Sequence, residues 1–233
     1  MLATMPTMMI LRDATVSGDI AWSQGVLADP VSTAAVRIWR YRAPAVVLGP
    51  AQRPDPDMED RARDAGVELV QRPAGGGAVL AGPWLLGASV VLPPGHPRVP
   101  TSIPSSYGWL GAVFVDWLRS MGIAGSAAPS PVRADPALAW SCFAGLSHGE
   151  VVVGGKKILG LAQARRRNGT LFSAGVLLGP SPWAILCAVL GKPSGQAAEL
   201  ARITTSVQET SGADVGDETQ DRLLMALFEA AGG

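Results

Sequence analysis

Cys142 and Lys157, fifteen residues apart, are the pair in this chain best suited to covalent chemistry. A thiol near an ammonium has its thiolate favoured, and a thiolate attacks a thioester without ATP. The alternative for an isolated cysteine is a small buried hydrophobe. Upstream, Arg72-Pro73-Ala74-Gly75-Gly76-Gly77 supplies a cation and then three residues without Cβ. Such a run lets backbone N–H groups approach an acyl carbonyl or a phosphate, although a tight turn without a ligand uses the same residues. Arg165-Arg166-Arg167 forms a basic tip in a chain with only 16% charged residues. Acidic carrier proteins would be drawn to such a tip, and a solvated turn is the plainer reading. His148, six residues past Cys142, is a candidate proton acceptor or a solvent-facing loop residue.

Apolar periodicity indicates the elements that must hold these groups. It predicts a helix over Ser17–Ala28, short strands at Val36–Arg40 and Ala45–Leu48, and a helix from Asp55 with Pro56 in its first turn. Val67–Gln71, Val79–Leu80 and Leu85–Leu92 read as further strands, and Ser106–Ser120 as a helix whose Trp109, Val113, Trp117 and Leu118 face the core. Ala124–Pro136 reads as a loop. Gly154-Gly155 joins Val151–Val153 to Lys156–Leu159, and Asn168-Gly169 marks the turn between Leu161–Arg165 and Leu171–Leu178. In the first hairpin Val152 falls opposite Lys157, with Glu150 diagonal to the ammonium. Helices follow Ser181 and cover Asp221–Ala230. The class is α+β, a mixed and largely antiparallel β-sheet flanked by helices.

The 233 residues suffice for a large core, and one domain over 1–233 with a short helical part from about 181 is the simplest division. Nineteen basic residues balance nineteen acidic ones, so no global field of the kind that binds nucleic acid is present. Mean hydropathy is +0.24, yet every apolar run is shorter than the roughly 20 residues a membrane span needs. The start, MLATMPTMMILRD, lacks a cationic segment ahead of its apolar stretch, so Cys142 and Cys187 are expected as free thiols in a reducing cytoplasm. No metal ligand set is assigned.

Three segments, Pro44–Gln52 (PAVVLGPAQ), Arg72–Val79 (RPAGGGAV) and Cys142–Leu178 with GGKKILGLAQARRRNGTLFSAGVLL, together resemble the lipoate–protein ligase and octanoyltransferase family. The phrase from Cys142-Phe143 to Glu150-Val151-Val152-Val153 is similar to the cysteine-dependent octanoyltransferases. The resemblance implies the biotin/lipoate ligase catalytic-domain fold. It also implies Cys142 as nucleophile, Lys157 as the essential cation that polarises the acyl carbonyl, and an acyl site at Arg72, Gly75, Gly76, Gly77, Ala78, Val79, Gly160 and Ala162. Val47, Val79, Leu80, Leu85 and Leu86 are candidates to line the acyl channel.

Departures from the family pattern bear on which reaction is expected. A His-Asp pair after the glycine loop is here Ala81-Gly82, and a His-Gly pair in the second hairpin is Ala174-Gly175. An asparagine typical of ligases is replaced by Leu85, and their Asn-Asp by Gly149-Glu150. About 55 residues follow Leu178, short for a ligase accessory domain. The ranking is therefore octanoyl or lipoyl transfer to a lysine of a lipoyl domain through a Cys142 thioester, with no cofactor and an acyl carrier protein or lipoyl-domain protein as partner. An ATP- and Mg2+-dependent lipoate–protein ligase is second, a non-catalytic binder of a lipoyl group or carrier third, and a biotin ligase last.

Overall fold

The computed structural model describes residues 7–73 and 75–232, so the readings at residues 1–6 and at Ala74 lie outside the described residues. Ten strands and seven helices are present among them: β1 Met8–Ala14, α1 Val16–Gly25, β2 Ala35–Tyr41, β3 Ala45–Leu48, α2 Pro56–Asp64, β4 Glu68–Gln71, β5 Val79–Ala81, β6 Leu85–Leu92, α3 Gly108–Ser120, β7 Gly125–Ala127, β8 Val151–Val153, β9 Lys156–Arg166, β10 Gly169–Leu177, α4 Trp183–Val189, α5 Gly195–Ile203, α6 Val207–Ser211 and α7 Asp217–Ala230. Local chemistry explains several boundaries. The Thr15 hydroxyl caps α1 by accepting from Gly18 N at 3.1 Å, and the Asp55 carboxylate caps α2 by accepting from Met58 N at 2.7 Å with Pro56 in the first turn.

Seven strands form one sheet in the order β1-β2-β6-β10-β9-β8-β7, in which only the β1–β2 pair is parallel. A second sheet, β4-β3-β5, is parallel at β3–β4 and antiparallel at β3–β5. Every residue of β6 is buried, because both faces of the large sheet are covered. One face, with Ile38, Leu86, Val90, Phe172 and Val176, packs against Phe114 and Trp117 of α3 and Leu223 and Leu227 of α7. The other, with Trp39, Leu85 and Leu177, meets Val46, Leu48 and Leu80 of the small sheet and Trp183 and Leu186 of α4.

The α+β class is as expected, and β3, β6 and the Gly154-Gly155 turn stand as read, both turn glycines having positive φ. Four features differ. β1 is absent from the sequence reading, because its apolar residues Met8–Leu11 are contiguous and show no strand alternation. The expected loop at Ala124–Pro136 contains β7, whose three small residues carry little strand signal. Lys156–Leu159 and Leu161–Arg165 are one continuous strand, β9, shared by both hairpins. Gly169 pairs with Arg166, so the second turn is Arg167-Asn168, one residue earlier than the Asn-Gly signal indicates. The helical part expected from about 181 holds α4, α5, α6 and α7.

Candidate active site

Cys142 is half-buried and free, on an irregular segment held against the start of β5. Ala78 N donates to the Trp140 carbonyl at 2.8 Å and Cys142 N donates to the Ala78 carbonyl at 2.9 Å, which sets the cysteine in register with the end of the glycine loop. Gly77 has to lack a side chain there, because a Cβ would collide with the Trp140 carbonyl. Gln52 adds a third tie: its amide donates to Trp140 O at 3.2 Å while its own oxygen accepts from Gly49 N at 2.8 Å. Phe143 is buried against Trp183, with ring centroids 5.6 Å apart.

Lys157 sits opposite Val152, as the hairpin register requires, and is only 3% exposed. Its ammonium donates to Glu150 Oε2 at 2.7 Å, to the Cys142 carbonyl at 2.8 Å and to the Gly145 carbonyl at 2.9 Å. Glu150, 2% exposed, also accepts from Leu161 N at 2.9 Å and Ser147 N at 2.7 Å. The pair is therefore buried and fully bonded, and it fastens the Cys142–Gly145 turn to β9. Lys156, its neighbour, is exposed.

Cys142 opens on a cavity of about 130 Å³ between the large sheet and a cover of α1 and the small sheet. Strand pairing explains the hollow. On the cavity face Trp39, Gly87, Gly175 and Gly160 form one cross-strand row, and Arg37, Ser89, Ser173 and Ala162 the next. Small residues at the centre leave room that larger side chains would fill, and a Cβ at Gly87 would collide with the Trp39 indole. Val47, Val79, Leu85 and Phe143 supply apolar wall.

Of the expected site residues, Cys142, Arg72, Val79, Gly160 and Ala162 line this cavity together. Gly75, Gly76, Gly77, Ala78 and Lys157 are not on its wall. Gly77 and Ala78 instead support the Trp140–Cys142 segment, and Arg72 Nη2 donates to Gly77 O at 2.8 Å. Among the channel candidates Val47, Val79 and Leu85 are on the wall, whereas Leu80 is packed in the adjoining core. Leu86 faces α3 and α7, because alternation along β6 turns it away from Leu85. Arg165 is occupied with the carbonyls of Pro100 and Thr101 at 2.8 and 3.1 Å, so only Arg166 and Arg167 of the basic tip are exposed. His148 Nδ1 lies 3.3 Å from Ala128 O.

Beyond Trp39 lies a polar cluster that no motif in the sequence marks. The Arg37 guanidinium is paired with Asp19 and lies 3.6 Å from the Trp22 ring centroid and 4.5 Å from that of Trp39. Tyr41 donates to Asp19 at 2.8 Å. Burial pushes the Asp19 carboxyl up despite the neighbouring guanidinium, and burial pulls Arg37 down despite Asp19. The alternation of Arg37, Trp39 and Tyr41 along a strand was the available signal.

The mixed sheet covered on both faces is shared with solved lipoate–protein ligases. The bi-partite lipoate protein ligase of Thermoplasma acidophilum superimposes with a TM-score of 0.73 at 20% identity, over 97% of this chain and 84% of that one. A lipoate-protein ligase A bound with ATP does so with 0.71 at 21%, over 97% and 85%. An octanoyltransferase LipM of Kyrpidia tusciae is 32% identical over 208 residues, which is 85% of this chain and 75% of that protein. A LipM of Carboxydothermus hydrogenoformans is 32% identical over 132 residues, 56% of this chain and 48% of that protein. Residues 24–217 match the family described as Lipoyl protein ligase A/B catalytic domain. The chain belongs to this family of acyltransferases and ligases.

Proposed function

We propose that the protein transfers an octanoyl group from a carrier thioester to a lysine of a lipoyl domain through an acyl thioester on Cys142. The observation that carries this reading is the position of Cys142 at the mouth of an apolar cavity, on a turn fixed by Lys157. The Cys142 thiolate attacks the acyl carbonyl, the carrier thiolate leaves and takes up a proton, and the chain rests on Sγ. A lysine amine of the acceptor domain then attacks the same carbonyl, loses a proton, and expels the Cys142 thiolate as the amide forms. Burying the chain at about 0.8 kcal/mol per CH₂ contributes on the order of 5 kcal/mol to binding.

The Lys157 ammonium enters as the clamp of the nucleophile turn, holding it by the carbonyls of Cys142 and Gly145. Arg72 on the cavity wall is the cation available to the acyl oxygen. The acyl carrier protein and the lipoyl domain are the partners this chemistry requires, and two free thiols fit a reducing compartment. The LipM relatives, named as octanoyltransferases, support the reading.

An ATP-dependent ligase must hold a triphosphate and an acyl-adenylate with polar groups. Ala81, Leu85 and Ala174, where such groups are expected, are buried apolar residues at 2%, 5% and 7% exposure. The residues present do not fit ATP and Mg2+. The test is transfer to an added lipoyl domain by wild type and Cys142→Ala: transfer by the variant equal to wild type refutes the covalent route.

A further inference from the structure

The buried Glu150–Lys157 pair comes close to the acyl cavity without reaching its wall. Phe143, next to Cys142 in the chain, stands between them. Its ring is on the wall, 3% exposed, and its centroid lies 5.2 Å from the Lys157 ammonium. Gly160, on the same wall, shows how thin this partition is: a Cβ built there would meet Phe143 Cζ at 3.6 Å, and Glu150 Oε1 and Lys157 Cε at 3.8 Å. Trp183 backs the ring, and its indole N–H donates to the Thr204 hydroxyl at 3.2 Å. Thr205 N in turn donates to the Lys157 carbonyl at 3.0 Å, so the support of the ring is tied to the strand that carries Lys157. Glu150 Oε2 accepts from Lys157 Nζ and Ser147 N, whereas Oε1 accepts from Leu161 N alone among the described residues. A carboxylate oxygen takes two donors, so Oε1 keeps an acceptor site close to Gly160.

We propose that Phe143 decides between aminolysis and hydrolysis of the acyl enzyme, by keeping water away from Glu150. The inference rests on the Cys142 thioester of the proposed function. That thioester has to persist until the acceptor domain arrives, and water held beside it competes with the lysine amine. A water admitted next to Gly160 would find in Glu150 Oε1 an acceptor for its proton. Its oxygen would bond to the acyl carbon as that proton passes to the carboxylate. The C–S bond would then break, the Cys142 thiolate would leave, and octanoic acid would be released without reaching a lysine. Phe143 fills this place with apolar bulk. Bulk is what the role requires, so leucine should serve where alanine does not.

The test starts from protein acylated on Cys142 by octanoyl carrier protein and then freed of the donor. Intact-protein mass spectrometry follows loss of the octanoyl group in buffer alone, which reads hydrolysis, and with an added lipoyl domain, which reads transfer. Phe143→Ala should hydrolyse about tenfold faster than wild type or more, with the transfer rate changed by less than about threefold, and Phe143→Leu should stay close to wild type. If Phe143→Ala does not fold, Phe143→Val carries the same prediction in smaller degree. Unchanged hydrolysis overturns the proposal. So does an equal change in hydrolysis and transfer, which would mark a purely structural role. If wild type forms no octanoyl adduct, the Cys142 thioester itself fails and takes this inference with it.

Discussion

The Lys157 ammonium lies 2.8 Å from the backbone carbonyl of Cys142, so the essential-looking cation holds the nucleophile by its main chain. With Gly145 O and Glu150 Oε2 as the other acceptors, all three ammonium donors are in use. Removing one member of such a pair strands a buried charge, whereas replacing both leaves none. Lys157→Ala should therefore destabilise the fold by about 3 kcal/mol or more in urea titration, and Lys157→Met with Glu150→Gln by clearly less. Equal losses for the two would contradict the buried pair.

Gln52 reaches the same turn from the opposite side. Gln52→Glu keeps an acceptor for Gly49 N but replaces the donor to Trp140 O with an anion facing a carbonyl. The expected result is an acylation rate of Cys142 lowered about tenfold, equivalent to about 1.4 kcal/mol, with KM for the acyl donor little changed. A wild-type rate would show that the tie is dispensable.

Exposure separates the two thiols. Cys142 is half-buried at the cavity mouth, whereas Cys187 is buried in α4 and burial pushes its thiol up. Limited iodoacetamide treatment followed by peptide mass spectrometry should label Cys142 first, and octanoate should slow that labelling. Labelling of Cys187 ahead of Cys142 would contradict this placement.

Much of the candidate site was legible because its signals are local. Gly154-Gly155 fixed the hairpin register, and that register alone put Lys157 opposite Val152 and near Glu150. Burial of the pair was not legible, since an exposed Glu–Lys pair has the same spacing. The placement of Leu86 failed on a face assignment: β6 is buried on both sides, so its apolar run does not reveal which residues face the cavity. The Arg37 cluster was missed because its partners come from α1 and β2, elements whose packing no short motif encodes. The glycine loop was read as acyl-binding, and its Gly77 instead admits the Trp140 carbonyl.

The Asp19–Arg37 pair makes a prediction about pH. The folded Asp19 carboxyl titrates above its usual value, so between the ordinary and the raised pKa the folded state holds more protons than the unfolded chain. This contribution favours folding as pH falls through that window and is lost as pH rises through the folded pKa. Stability curves of wild type and Asp19→Asn should therefore converge or cross toward wild type on acidification from neutral pH. A difference independent of pH would contradict the raised pKa.

Arg166 and Arg167 remain free to meet an acidic carrier, while Arg165 clamps the Pro100–Ser102 loop. Replacing Arg166 and Arg167 by Glu should raise KM for the carrier and flatten its salt dependence, with kcat little affected. An unchanged KM would leave this tip as a solvated turn.

The most direct test of the central claim is intact-protein mass spectrometry after mixing the enzyme with octanoyl carrier protein, and separately with octanoate plus ATP. A hydroxylamine-sensitive octanoyl adduct should form from the carrier alone, on wild type and not on Cys142→Ala. Absence of that adduct, with modification of an added lipoyl domain only when ATP and the free acid are supplied, would contradict it.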